Sequence, residues 1–427
     1  MSTSHQARLG VVLIVLATMI GLLSGCSSAP TPVDSSRSRP AEISPAERTA
    51  AAQTTIDAFV AAARRGDRTA AAALVATQDA AFSGRAAVWA ANLARLDWST
   101  LTWTVQSAQG ALNETRRQAI GADAWVQEVT ISWAYEGETR VAEKSVWLTF
   151  VIEPRSAAGV VAKLAGDADD PAGVSAMPLW LQQPVRLYRS GPALVLTASA
   201  KADRWVVEAR RAQQSAGRRV GTAGRDRGGV LVVEVPQSRA LFERSLGVSP
   251  GSYASVAAAA WPLGTDATRA PIHVVVNPEA ADRLTELGRN VLLTHEAVHV
   301  LVRSPGSPAP TWLVEGYADQ IAYDTWPAGR IPAWQAVSRS VRAAGVPTRW
   351  PAEKDFAPDA GELDLAYDLA WSAAHSIAVG HGSAGLNRFY AAVDAGKSID
   401  QAASLIGTTE SALRKQWRSD LNQLANR

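Results

Sequence analysis

Arg289–Ser304 reads RNVLLTHEAVHVLVRS and Thr311–Tyr323 reads TWLVEGYADQIAY, with a short proline-rich turn between them. Residues four apart on a helix sit about 40° apart round the axis and one turn along it. His295 and His299 can therefore aim both imidazoles at a single ion, a ready two-point clamp for zinc. Glu296 projects from the same turn, where a carboxylate can take a proton from an activated water without itself being a ligand. A catalytic site of this kind needs a third protein ligand, and Glu315, sixteen residues after His299, is offered by the next helical stretch. Ser304–Pro310, with three prolines and a glycine, forms the turn that brings the second helix back. Asp319 lies one helical turn beyond Glu315, placed to accept the second ring N–H of a ligating histidine and fix its tautomer.

HEAVH followed by WLVEGYAD resembles the gluzincins, the thermolysin-like clan of zinc metallopeptidases with HExxH and a downstream ExxxD. The resemblance implies one Zn2+ per chain held by His295, His299 and Glu315, with Glu296 as general base, Asp319 behind the ligands, and a peptide or protein as substrate. It extends over roughly the C-terminal half, where the strand Ile272–Val276 and the helix holding Tyr367 also fit such domains. Related domains carry a tyrosine on a helix C-terminal to the third ligand as oxyanion donor. That implies Tyr367, with His375, two turns along, as the alternative.

The rest of the chain narrows the setting. Of 427 residues, 47% are hydrophobic and 19% charged, ample for two buried cores. The net charge of +2 comes from basic residues scattered rather than interleaved with aromatics, so no nucleic-acid footprint is visible. The only cysteine is Cys26, which excludes an internal disulfide and thiol ligation of a metal, so the metal must be held by histidine and carboxylate.

Leu9–Leu23 (LGVVLIVLATMIGLL) is an apolar run short for a membrane span but suited to a signal peptide over residues 1–25. It ends in Leu23-Ser24-Gly25-Cys26, which resembles a bacterial lipobox. That resemblance implies acylation at Cys26, with palmitate-type lipid, and a membrane-anchored protein on the extracytoplasmic face. Residues 26–43, rich in proline and serine, are expected as a disordered tether.

Residues 44–211 are expected to form an α+β domain. Ser44-Pro45-Ala46-Glu47 is a capping box with proline at the first helical position, followed by Ile56, Phe59, Val60 and Ala63 on one face. Further helices lead into strands at 101–105, 124–135, 141–152 and 204–209, with Val129, Ile131, Trp133 and Tyr135 alternating against smaller or polar residues. Eight of the fifteen tryptophans fall between Trp89 and Trp205 and are expected to fill the concave face of a curved antiparallel sheet. The arrangement is similar to an NTF2-like cone, with 155–183 as a long insertion. SAGRRVGTAGRDRGG within 212–229 reads as a linker.

Residues 230–427 are then expected as the metallopeptidase domain. It would have short strands at 230–235, 253–260 and 272–276, a helix at 279–287 stopped by Gly288, the HExxH helix and an all-helical end. Two function classes follow. One is a membrane-anchored zinc peptidase. The other is a non-catalytic lipoprotein whose first domain binds a ligand or partner above a structural or degenerate zinc site. A structural zinc is closed by four protein ligands, whereas three are evident here and Glu296 is intact, which favours the peptidase.

Overall fold

The computed structural model describes residues 43–153, 160–173, 176–226, 229–357 and 361–426. The expected leader, Cys26 and nearly all of the tether lie outside the described residues. Among the described residues no helix is long and apolar enough to cross a membrane.

Helix α1 (Pro45–Arg64) starts as its capping box dictates: the Glu47 amide donates to Ser44 Oγ at 3.2 Å and the Ser44 amide to Glu47 Oε2 at 2.9 Å. Its buried face carries Ile56, Phe59 and Ala63. With α2 (Arg68–Ala73) and α3 (Ala80–Arg95) it packs on a four-stranded antiparallel sheet. The strands, in spatial order, are β1 (Trp98–Gly110), β2 (Trp125–Tyr135), β3 (Ala142–Ile152) and β4 (Ala162–Gly166), with α4 (Glu114–Ile120) between the first two. Two register shifts in β1 bend it, as extra residues in one strand of a pair do. The alternation read in β2 is real: Val129, Ile131, Trp133 and Tyr135 are all buried. Trp89, Trp98, Trp103, Trp125, Trp133 and Trp180 fill the core, with the Trp180 ring 5.0–6.0 Å from those of Trp98, Trp103 and Trp133, whereas Trp205 belongs to the core on the other side of the second sheet and Trp147 is only half-buried. Trp180 comes from α5 (Leu179–Gln182), so the stretch expected as an insertion supplies both the fourth strand and the centre of the aromatic cluster.

The second sheet begins before the expected linker. Its strands are β5 (Arg186–Ser190) and β6 (Ala193–Thr197), then, after α6 (Ala202–Arg219), β7 (Leu231–Val235), followed by α7 (Arg239–Leu246), β8 (Ala258–Pro262) and β9 (Ile272–Val276). The spatial order is β5-β6-β7-β9-β8, with β6, β7 and β9 parallel and both outer strands antiparallel to their neighbours. The fold class is α+β, as expected.

The strand expected at 204–209 is helical: Trp205, Ala209, Ala212 and Ala216 recur at helical spacing and are buried, a stripe that the run Trp205-Val206-Val207 disguises. Of the stretch expected as a linker, 212–226 is not one, since Ala212, Ala216, Val220 and Ala223 belong to the main core. Small residues there mark close packing of α6 on the helix that carries His295 and His299 rather than a break. The sheet also has two covered faces. Val195, Val233 and Val274 face the helices, whereas Leu194, Leu196 and Val232 join the core of the first sheet. Strands on both sides of the expected boundary therefore form one layer between two cores.

Past β9 the chain is helical: α8 (Pro278–Ala281), α9 (Glu286–Val302), α10 (Thr311–Thr325), α11 (Arg330–Ala344), α12 (Leu363–Asp394, kinked at Gly382), α13 (Ile399–Ser404) and α14 (Glu410–Ala425). Gly288 does not end a helix. It lies in the first turn of α9, where its amide donates to the capping Thr285 Oγ1 at 3.1 Å.

Candidate metal centre

Helix α9 is buried on every side from Arg289 to Val302, so it is a central element and not an amphipathic cover. A buried ion pair, Arg289 Nε to Glu208 Oε1 at 3.0 Å, ties its first turns to α6. Its end is fixed by Arg303, which adopts φ 60° as a non-glycine residue in the left-handed region. The Arg303 guanidinium donates to the carbonyls of Ala267, Thr268 and Ala270, which holds the strained residue in place. The chain then reverses into α10. Gly316 is required there: a Cβ would lie 2.2 Å from the carbonyl oxygen of Ala370, so only glycine lets α10 seat on α12 and carry Glu315 to α9.

These supports bring the expected ligands together. His295 Nε2 and His299 Nε2 are 2.9 Å apart, and Glu315 Oε2 lies 3.2 Å from the first and 3.3 Å from the second. Ligand atoms round a tetrahedral ion with bonds of about 2.0–2.2 Å stand roughly 3.3–3.6 Å apart, so this buried group could hold a metal ion with little adjustment. The donor set is oxygen and imidazole nitrogen, with no sulfur.

Behind the ligands, His295 Nδ1 is 2.8 Å from Asp319 Oδ1, so with Nε2 turned to the shared point Nδ1–H donates to the carboxylate. His299 Nδ1 is 2.7 Å from Ser304 Oγ and donates to it in the same way. Ser304 was not legible as a partner, because it sits in the turn and reaches His299 only through the reversal at Arg303.

Glu296 is 1% exposed. The backbone N–H of Ala260 on β8 faces its carboxylate, while Oε2 has no hydrogen-bond partner; Glu315 Oε2 is met by the two imidazoles. Unpaired buried carboxylate oxygens are costly, about 1–3 kcal/mol each or more, unless a cation and its surroundings meet them. That is the second sign that the group fits a metal.

The electrostatics agree. Burial pushes the Glu296 carboxyl above its ordinary range, only partly opposed by His295 and His299. For Glu315, burial is outweighed by the two imidazoles, which hold it well below the usual carboxylate range. Burial works against a charged His295, but Asp319 and Glu315 overcome it and bring the metal-free imidazole up to about 10.

The two side chains expected at the oxyanion are placed differently. Tyr367 is buried in the main core with its ring edge-on to Phe356, centroids 5.4 Å apart. His375 is brought to Trp334 and Trp371, with Nδ1 3.1 Å from Gln320 Oε1, and the charges round it are Arg330, Asp324 and Asp420 rather than the metal group.

Comparison with protein-family models, with curated proteins and with solved structures gives no match for this chain.

Proposed function

We propose that this chain is a zinc-dependent peptidase of the gluzincin kind, held at the outer face of a bacterial membrane by a lipid on Cys26. The observation that carries the reading is the convergence of His295, His299 and Glu315 beside Glu296, whose free Oε2 is buried within the same helix turn. A zinc ion there would supply Lewis acidity, lowering the pKa of a water and polarising a peptide carbonyl.

The chain's own groups then have defined tasks. Glu296 Oε2 accepts the proton of the attacking water and delivers it to the leaving amine. The backbone N–H of Ala260 faces the carboxylate and favours its ionised form. Asp319 and Ser304 hold the two imidazoles in the tautomer that leaves each Nε2 free. Tyr367, in the core that also packs the helix of the two histidines, is assigned as oxyanion donor in preference to His375, round which the charges are Arg330, Asp324 and Asp420 rather than the metal group. The first sheet with its helices resembles an NTF2-like cone, and the substrate is a peptide or protein, with no nucleic acid involved.

The test is Glu296→Gln. It is expected to retain zinc while peptide hydrolysis falls by about 10²–10⁴-fold, the usual contribution of a positioned base. Wild-type turnover in that variant removes Glu296 from the mechanism, and a wild-type chain without bound zinc removes the reading itself.

A further inference from the structure

The turn between β2 and β3, residues Glu136–Val141, leaves the first sheet and docks on the second beside the metal-site helix. Glu138 Oε1 lies 2.9 Å from His273 Nε2, and Glu234 Oε1 on β7 lies 2.8 Å from His273 Nδ1. The Arg140 guanidinium donates to the Arg269 carbonyl at 3.1 Å and stands 3.8 Å from Asp226, which in turn lies 3.9 Å from Arg303 at the end of α9. Just beyond the turn, the Glu143 amide donates to the Leu263 carbonyl at 2.8 Å, where the chain leaves β8. His273 is directly opposite Trp261 in the β8–β9 pair, and the residue before Trp261 is Ala260, whose N–H faces the Glu296 carboxylate.

We propose that this hairpin is a positioning element of the metal centre: through Glu138 and His273, with Glu143 on Leu263, the first sheet fixes β9 and β8 and so aims Glu296. Carboxylates only accept hydrogen bonds, so a histidine bridging two of them must donate from both ring nitrogens and carry a positive charge. His273 is wholly buried, so the charge-assisted bonds act without competing water. The groups facing it are Glu234 from β7, Glu138 from the turn, Tyr135 stacked 6.1 Å away on β2, and Lys144 on β3, whose charge interacts with Glu234. Only the activity arm of the test rests on the peptidase reading.

In the full chain, hydrogen exchange at the Ala260 amide is compared in wild type, E138A and E138Q. E138A is expected to lose at least about tenfold of protection at Ala260 while Val195 on β6 keeps its protection and the zinc content is unchanged. E138Q, which retains an acceptor for His273 Nε2–H, keeps most of it. In peptide hydrolysis E138A lowers kcat by about tenfold with KM unchanged, and E138Q restores it. Equal protection of Ala260 in wild type and folded E138A overturns the proposal. A wild type that cleaves no peptide instead overturns the peptidase reading and leaves the exchange result decisive for the hairpin. Should E138A fail to fold, wild-type exchange against pH decides. Glu138 and Glu234 outweigh burial and bring His273 up to about 9, so protection at Ala260 should fall as pH passes that value, ahead of Val195. Parallel loss at the two amides overturns the proposal.

Discussion

Histidine meets buried carboxylates at two places in this molecule, and the two differ in where the ring nitrogens point. At His273 both nitrogens reach outward to separate carboxylates. At His295 and His299 one nitrogen of each ring is held from behind, by Asp319 and Ser304, and the other is turned to a point shared with Glu315. The unpaired atom follows the same division: Glu296 Oε2 lacks a partner, whereas neither oxygen of Glu138 does, since Oε2 accepts the Tyr135 amide at 2.8 Å. Burial, charge and a raised histidine pKa are common to both places. Convergence beside an unpaired atom is what separates a group that could hold a metal ion from one that joins two sheets.

The harshest way to test that division is to remove the joint. A chain starting at Gly229 keeps every metal-site residue but loses β5, β6 and α6, which turns β7 into an open edge where β6 had paired and uncovers the faces of Leu231, Val233 and Arg289. It is expected to be insoluble or without fixed structure, as circular dichroism and solubility after expression would reveal. A soluble, zinc-binding product would mean that the second core stands alone.

Paired substitutions separate the two places more finely. His295→Ala or Glu315→Ala is expected to abolish stoichiometric zinc in metal analysis. His273→Gln is expected to keep the zinc and to cost about 3–5 kcal/mol in denaturant unfolding, because two carboxylates are left buried without their cation. Zinc loss in His273→Gln with the fold intact would erase the distinction.

Alkaline pH should weaken both places in the metal-free chain but only one in the zinc-loaded chain. Both histidines are raised above the unfolded value, to about 9 for His273 and about 10 for His295. Their contribution is therefore complete below about pH 6.5 and is lost as pH rises through those folded values. With zinc bound, His295 is neutral throughout, so the Tm of the loaded chain should decline less over that window. Identical declines with and without zinc would contradict the assignment of His295 as a ligand.

The mildest effect is expected at Ser304. Ser304→Ala removes only a neutral acceptor behind His299, so zinc affinity should drop by about tenfold with little change in Tm. Asp319→Ala should exceed it, because a carboxylate also offsets the positive charge of the site. Competition with a chelator measures both.

Much of the centre was readable from the sequence, because its parts obey local geometry. The i, i+4 spacing of His295 and His299, Glu296 between them, and the spacing of Glu315 and Asp319 on the next helix need only helical periodicity and one turn. The alternation in β2 and the capping box of Ser44 are local in the same sense. Contacts that depend on distant chain segments were not readable. Ala260 gives no chemical signal, yet its backbone N–H faces the Glu296 carboxylate. Arg303 owes its left-handed backbone to three carbonyls some 33–36 residues earlier. Glu138 is a turn residue until the fold sets it against His273, 135 positions later. The stretch 212–229 misled for the same reason: glycine, alanine and arginine look like a loop when read singly, and only α9 packed against α6 turns the alanines into core. The sequence by itself determined which atoms could bind a metal. Tertiary structure decided what holds those atoms in place and that the two sheets share the burden, because hydrogen-bond partners and buried faces are fixed by three-dimensional proximity rather than by order along the chain.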